Sequence, residues 1–191
     1  MKPALVIGGS SFGRLIRSLL VDAGYDFRGY IDDFNTGDEI IGTRDDLGRR
    51  FHPGDFCLVL AIGYRDLPAR LRVFHQAIEA GFSFPPVVHP RAIVSREARI
   101  GAGCLLMAGA NVDSFARLGP ACVLWPGAIV SHDSTIGENT FISPNATVCG
   151  FVQAGHSSFI GAGSVIVDGT KLPEKSFVKA GTRSGGNRIN V

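Results

Sequence analysis

Of the five histidines, His52, His75, His89, His132 and His156, one stands beside a carboxylate in a run that could catalyse a group transfer. The run is Val130-Ser131-His132-Asp133-Ser134-Thr135-Ile136-Gly137. A neutral imidazole can take the proton from an amine or hydroxyl as that group attacks a carbonyl carbon. The neighbouring carboxylate of Asp133 can fix the tautomer and stabilise the imidazolium that forms. Position alone also allows an inert surface histidine. His75 on a predicted helix and His52 in a loop read as solvated. His132 and His156 lie 24 residues apart with no third histidine near them in the repeats described below, which speaks against zinc. The four cysteines, Cys57, Cys104, Cys122 and Cys149, show no CxxC spacing.

A second candidate opens the chain. Leu5-Val6-Ile7 reads as a short apolar strand running into Gly8-Gly9-Ser10-Ser11-Phe12-Gly13, after which Leu15, Ile16, Leu19 and Leu20 fall at helical spacing with Gly24 as a stop. The Gly8-x-Ser10-x-x-Gly13 pattern is a degraded dinucleotide fingerprint, with acidic Asp32 about twenty residues on. Backbone N–H groups at that helix start could hold phosphate oxygens, and Asp32 or Asp33 could accept hydrogen bonds from a ribose or a base. The competing reading is that the glycines only permit a tight turn. Some eighty-five residues are too few for a two-half dinucleotide fold, so a mononucleotide or nucleotide-sugar is the expected ligand.

Two kinds of element have to position these groups. Over residues 1–85, Phe27 to Ile31 and Cys57 to Ile62 read as further strands, and Asp66 to Ala80 as a helix with Leu67, Leu71, Phe74 and Ile78 on one face and Gly81 at its end. Alternating strands and helices imply a small, parallel, Rossmann-like α/β domain. From Val88 to Val178 the chain keeps a strict period of six. A branched aliphatic residue recurs in every row except at Ala154, and a column four places on is small: Ala92, Ala98, Cys104, Ala110 and onward. Neither a helix nor a simple alternation has that period. Six residues supply one short strand and one corner, and three such units close a triangular coil. Like positions then stack about 4.8 Å apart. Gly101, Gly119, Gly137 and Gly155 recur every eighteen residues, one full coil. Cys104 and Cys122 share the small column and are expected to stack as packing residues. Residues 86–191 therefore read as an all-β parallel β-helix with a C-terminal tail, the junction falling near Phe84-Pro85-Pro86. His89 opens the first coil.

Composition is ordinary: 45% hydrophobic, 19% charged, net charge +2. That charge is too small to argue for nucleic acid or an anionic membrane. The first apolar run is too short for a signal-peptide core, and no run approaches the length of a bilayer span. A cytoplasmic protein is expected.

Together the two halves resemble the bacterial nucleotide-sugar acetyltransferases related to the sialic acid O-acetyltransferases, over nearly the whole chain. The carriers are the Gly8–Gly13 turn, Ile31-Asp32-Asp33, Val88-His89-Pro90, the His132-Asp133 run, Pro144-Asn145-Ala146 and Gly150. The resemblance implies a left-handed coil, a homotrimer and acetyl-CoA as cosubstrate, with no metal. It makes His132 the general base, Asp133 its partner and the Gly150 N–H a donor to the oxyanion. Acetyl-CoA would lie in a groove between subunits. A nucleotide-linked amino sugar of the 4-amino-4,6-dideoxy type would bind at Gly8, Gly9, Ser10, Ser11, Phe12, Asp32 and Asp33, its amine presented to His132 of a neighbouring subunit. Family members often have histidine where this chain has Phe12 and Phe141, and smaller polar residues where it has Trp125. Trp125 and Phe141 make the groove more apolar, while Lys179 or Arg183 could meet the phosphates of CoA. The closing Ala180-Gly181-Thr182-Arg183 matches the family pattern only loosely. Acylation of a sugar hydroxyl is an alternative, and so is a β-helix that binds sugar without catalysis. Polysaccharide precursor synthesis is the usual setting of such enzymes.

Overall fold

The computed structural model describes residues 3–185. The tail assigned to the β-helix domain past residue 185 lies outside the described residues. The chain divides into two compact units, Met1–His89 and Pro90–Val191.

The first unit contains a parallel sheet of four strands, β1 (Ala4–Ile7), β2 (Phe27–Ile31), β3 (Ile40–Gly42) and β4 (Cys57–Leu60), in the order β3-β2-β1-β4. All four residues of β1 and of β4 are buried, as expected for strands covered on both faces. Helix α1 (Ser11–Asp22) buries Gly13, Ile16, Leu19 and Leu20. Its start demands glycine twice. Gly8 has φ +107° and Gly13 packs so closely that a Cβ would lie 2.0 Å from the Gly8 carbonyl oxygen. Helix α2 (Leu67–Glu79) is capped by Asp66, whose carboxylate accepts the Ala69 N–H at 2.8 Å. Its buried face is Arg70, Val73, Phe74 and Ala77, rotated from the face that the apolar spacing suggests. Ile78 is instead exposed. The fully buried Arg70 accounts for the rotation: its Nε–H donates to the Ile62 carbonyl at 3.0 Å and draws that side of the helix inward. A last strand, β5 (Val87–Val88), closes the unit.

The second unit is a parallel β-helix. Strands β6 to β21 are two residues each, from Ile93–Val94 to Arg183–Ser184. They stack into three faces, β19-β16-β13-β10-β7, β20-β17-β14-β11-β8 and β21-β18-β15-β12-β9-β6, so each strand pairs with the strand one coil away. Ile129 and Val130 of β12 pair with Thr147 and Val148 of β15, for example, an offset of eighteen residues. The aliphatic column fills the prism: Val112, Val130, Ile142 and Ile160 are fully buried. The small column is buried beside the bends, and the thiols of Cys104 and Cys122 donate to the carbonyls of Gly119 and Gly137. The glycines at eighteen-residue intervals have a steric cause. A Cβ on Gly137 would lie 2.5 Å from the backbone nitrogen of His156 in the next coil, and one on Gly119 would lie 2.6 Å from that of Glu138.

Candidate active site

His132 sits on the corner that follows β12 (Ile129–Val130), where the chain leaves one face of the prism for the next. Nothing in the packed interior asks for an imidazole there, and the side chain is 48% exposed. Asp133 occupies the left-handed region at φ +56°, which aspartate tolerates better than most residues. Its Oδ2 lies 3.0 Å from His132 Nδ1. A carboxylate can only accept, so Nδ1 carries the hydrogen of this contact, and in the neutral ring Nε2 is the nitrogen with the lone pair. Behind the corner the Ser134 hydroxyl is fully buried, donating to the Cys149 carbonyl at 2.8 Å and accepting the Val152 N–H at 3.1 Å. This pins the His132 corner to the coil after it.

The same corner one coil on is Gly150. A Cβ there would lie 2.8 Å from His132 Cε1 and 2.9 Å from Nε2, so the imidazole occupies the space that any side chain would need. Gly150 is buried, and among the described residues its N–H donates to no acceptor. A buried amide hydrogen without an internal acceptor is a group that can stabilise a carbonyl oxygen as it gains charge. Cys149 does not compete as a nucleophile: burial, aided by Asp168 and opposed by Arg183, raises its thiol above the ordinary value and keeps it protonated. Phe151, which the motifs do not single out, lies with its ring perpendicular to the imidazole at a centroid distance of 5.1 Å.

The other residues of the proposed groove lie elsewhere on the coil. Trp125 follows β11 (Val123–Leu124) and is half-buried, whereas Phe141 of β14 (Phe141–Ile142), laddered between Val123 and Phe159, is fully buried within the chain and presents no surface to a groove, contrary to the expectation from sequence. Lys179 is exposed after β20 (Phe177–Val178). All three belong to one prism face and its edge, away from the corner that carries His132. His156 is occupied within a polar ladder, its Nε2 lying 2.7 Å from Glu174. Among the described residues no group of three or more His, Cys, Asp or Glu is placed to hold a metal ion.

In the first unit a cleft of about 550 Å³ opens at the carboxyl ends of β1, β2 and β4, the point where the strand order reverses. Gly8, Ser10, Asp32 and Asp33 line it, with Phe34 and Arg44. Gly9, Ser11 and Phe12 do not. Asp32 is buried and its carboxylate is already saturated. Oδ1 accepts the N–H groups of Phe34 and Asn35 at 2.8 and 2.9 Å, while Oδ2 accepts the Gly9 N–H at 2.6 Å and the Asn35 side chain at 3.0 Å. Burial pushes this carboxyl up, but the four donors outweigh burial and hold its pKa down at about 2. Asp33 is bound by the N–H and the guanidinium of Arg44. Asp32 is thus the clasp that shapes the glycine turn, and the polar groups lining the cleft besides it include Ser10, the Asp33–Arg44 pair, Arg72 and Gln76.

Residues 115–150 match the family model described as bacterial transferase hexapeptide (six repeats). The matched segment contains both the His132–Asp133 corner and Gly150. Over the whole chain, the structure is similar to the acetyltransferase domain of PglB from Neisseria gonorrhoeae FA1090, at 27% identity and a TM-score of 0.92, covering 100% of this chain and 94% of that one. The same domain in complex with acetyl coenzyme A matches at 28% identity and 0.89, covering 94% and 89%. PerB from Caulobacter crescentus, solved with CoA and GDP-perosamine, matches at 25% identity and 0.89, covering 97% and 89%. No curated protein sequence matches this chain.

Proposed function

We propose that this protein is an acetyl-CoA-dependent N-acetyltransferase acting on a nucleotide-linked amino sugar of the 4-amino-4,6-dideoxy type, with a left-handed coil and His132 as general base. The observation that carries the reading is the His132–Asp133–Gly150 corner: a carboxylate-held imidazole packed on Gly150, whose N–H has no acceptor among the described residues. Structures solved with acetyl coenzyme A and with CoA and GDP-perosamine support the pairing of cosubstrate and acceptor. In the first unit, the cleft at the ends of β1 and β4 lies where a nucleotide site is expected and is lined by Gly8, Ser10, Asp32 and Asp33, four of the seven residues proposed for it.

The thioester supplies an activated acyl carbon. His132 Nε2 takes a proton from the acceptor amine as its nitrogen bonds to that carbon. The Gly150 N–H donates to the carbonyl oxygen while it bears negative charge. Asp133 holds the resulting imidazolium, which returns the proton to the departing sulfur as the carbon–sulfur bond breaks. The products are the amide and free CoA, and His132 ends neutral. General base catalysis contributes roughly 10²- to 10⁴-fold.

The test is a steady-state assay with acetyl-CoA and a panel of UDP-, dTDP- and GDP-linked 4-amino sugars. The expected result is turnover of at least one acceptor to an alkali-stable amide, with His132→Asn losing roughly 10²-fold or more in kcat. No activity on any acceptor, or full activity in His132→Asn, overturns the proposal.

A further inference from the structure

The corner that carries Asp133 repeats one coil later as Phe151 and two coils later as Gly169, and one coil earlier as Phe115. All four have left-handed backbone, with φ of +56°, +55°, +67° and +63° in that order. That conformation suits glycine, asparagine and aspartate and is sterically unfavourable for a bulky side chain. Phe151 is therefore a residue its own backbone does not favour. The core does not explain it either, because it is 59% exposed. A bulky residue held in such a conformation is a reason to look for function.

What the ring touches is His132. The two rings stand at 88° with centroids 5.1 Å apart, an attractive edge-to-face geometry. The Phe151 N–H also donates to the His132 carbonyl at 3.2 Å, tying the two corners together. The half-exposed imidazole is thus bounded by Asp133 at Nδ1, by the bare backbone of Gly150 under Cε1 and Nε2, and by the Phe151 ring. The first two leave the imidazole free to swing outward into solvent.

We infer that Phe151 is a positioning residue, whose ring closes that outward path and keeps Nε2 against Gly150. The inference rests on the acetyl-transfer reading above. Backbone strain at the corner is exchanged for a fixed base.

The test uses Phe151→Asn, Phe151→Tyr and, at the equivalent corner away from the base, Phe115→Asn. Relief of the left-handed strain raises the melting temperature of both asparagine variants by about 2–4 °C. Phe151→Asn nevertheless loses about tenfold in kcat with the KM for acetyl-CoA unchanged, because the base is misplaced while binding is not. Phe151→Tyr keeps the ring and restores kcat, and Phe115→Asn leaves kcat as it was. In the unliganded protein, nitrogen NMR of the His132 ring shows one ordered Nδ1–H tautomer in the wild type and an averaged, solvent-like signal in Phe151→Asn. Unchanged kcat in Phe151→Asn, an equal loss in Phe151→Tyr or Phe115→Asn, or an unaltered ring signal overturns the inference. If the wild type acetylates no acceptor, the function proposed above fails. The ring signal and the melting temperatures still decide the link between Phe151 and His132.

Discussion

His132, Asp133 and Gly150 work as one object because each removes a freedom from the next. The carboxylate sets which nitrogen is basic, and the missing side chain sets where that nitrogen can lie. Replacing Gly150 with alanine tests this directly. Its backbone is not in the glycine-only region, and the obstacle to a methyl group is the movable imidazole, so the fold should survive with little loss of stability. The imidazole must yield by several tenths of an ångström or more, and a displacement of that order costs up to about 10²-fold in rate. The expected outcome is normal thermal unfolding with kcat down by roughly 10²-fold; a Gly150→Ala enzyme with full activity would show that the ring does not need this berth. Asp32 gives a second prediction of a different kind. Its pKa is depressed from 3.8 to about 2, so the carboxylate contributes stability that is fully present above about pH 4 and is lost as pH falls through 2. The contribution is on the order of 2 kcal/mol at neutral pH. Asp32→Asn should be less stable than wild type by about that amount at pH 7 in urea titrations, and the gap should be roughly halved by pH 3. A gap that does not narrow with pH would mean the four donors are not what Asp32 serves.

The β-helix obeys one rule at the level of its elements: coils approach so closely that certain positions have no room for a Cβ. Gly137 and Gly163 separate two reasons for glycine. A Cβ on Gly137 would meet the backbone of His156 and force two hydrogen-bonded coils apart, whereas Gly163 has nothing within 4 Å and only a left-handed φ of +63°. Gly137→Ala should therefore cost about 3 kcal/mol and Gly163→Ala about 1 kcal/mol by chemical denaturation. Equal losses would remove close approach as the cause of the eighteen-residue glycine period. That period, with the aliphatic column from Val88 to Val178, makes the solenoid legible in the sequence, because the identity of every sixth residue is dictated by the prism interior. The parallel α/β unit was legible from Leu5-Val6-Ile7, the glycine turn and the apolar run at Cys57, each long enough to bury. What was not legible has physical reasons too. Strand β3 is only three half-buried residues, below any periodicity. The face of α2 is set by Arg70, a residue whose burial depends on the Ile62 carbonyl and not on its own polarity. At the site, His132 and Asp133 stand together in sequence, but Gly150 and Phe151 reach the imidazole only through the eighteen-residue stacking of corners. A bulky residue in a corner column that also holds aspartate and glycine was the available signal for Phe151.

One chain carries the proposed base and the proposed oxyanion donor on a corner of the prism, whereas Trp125 and Lys179 lie along a different face. For the latter to line the same cosubstrate groove as His132, a face of one copy must meet the corner of another. The outward residues of one prism face give that meeting a driving force. Ile93, Asn111, Ile129, Thr147 and Val165 form a ladder in which Ile93 is 65% exposed and Val165 is 37% exposed. Three aliphatic residues in one outward ladder up a flat wall are a poor surface to leave in water and a good one to repeat around a three-fold axis. The proposed homotrimer therefore makes a quantitative expectation: light scattering behind gel filtration should give three copies of a 20.3 kDa chain, about 61 kDa. Replacing Ile129 and Val165 with aspartate should place charges across that wall and yield monomer with the β-helix circular-dichroism signature intact. Because the groove needs two copies, acetyl transfer should fall in parallel with the trimer fraction as the wild-type protein is diluted, and the dissociated double variant should be inactive although its His132–Asp133–Gly150 corner is unaltered. A monomeric species that acetylates at the wild-type rate would separate catalysis from assembly and place the whole cosubstrate site on a single prism.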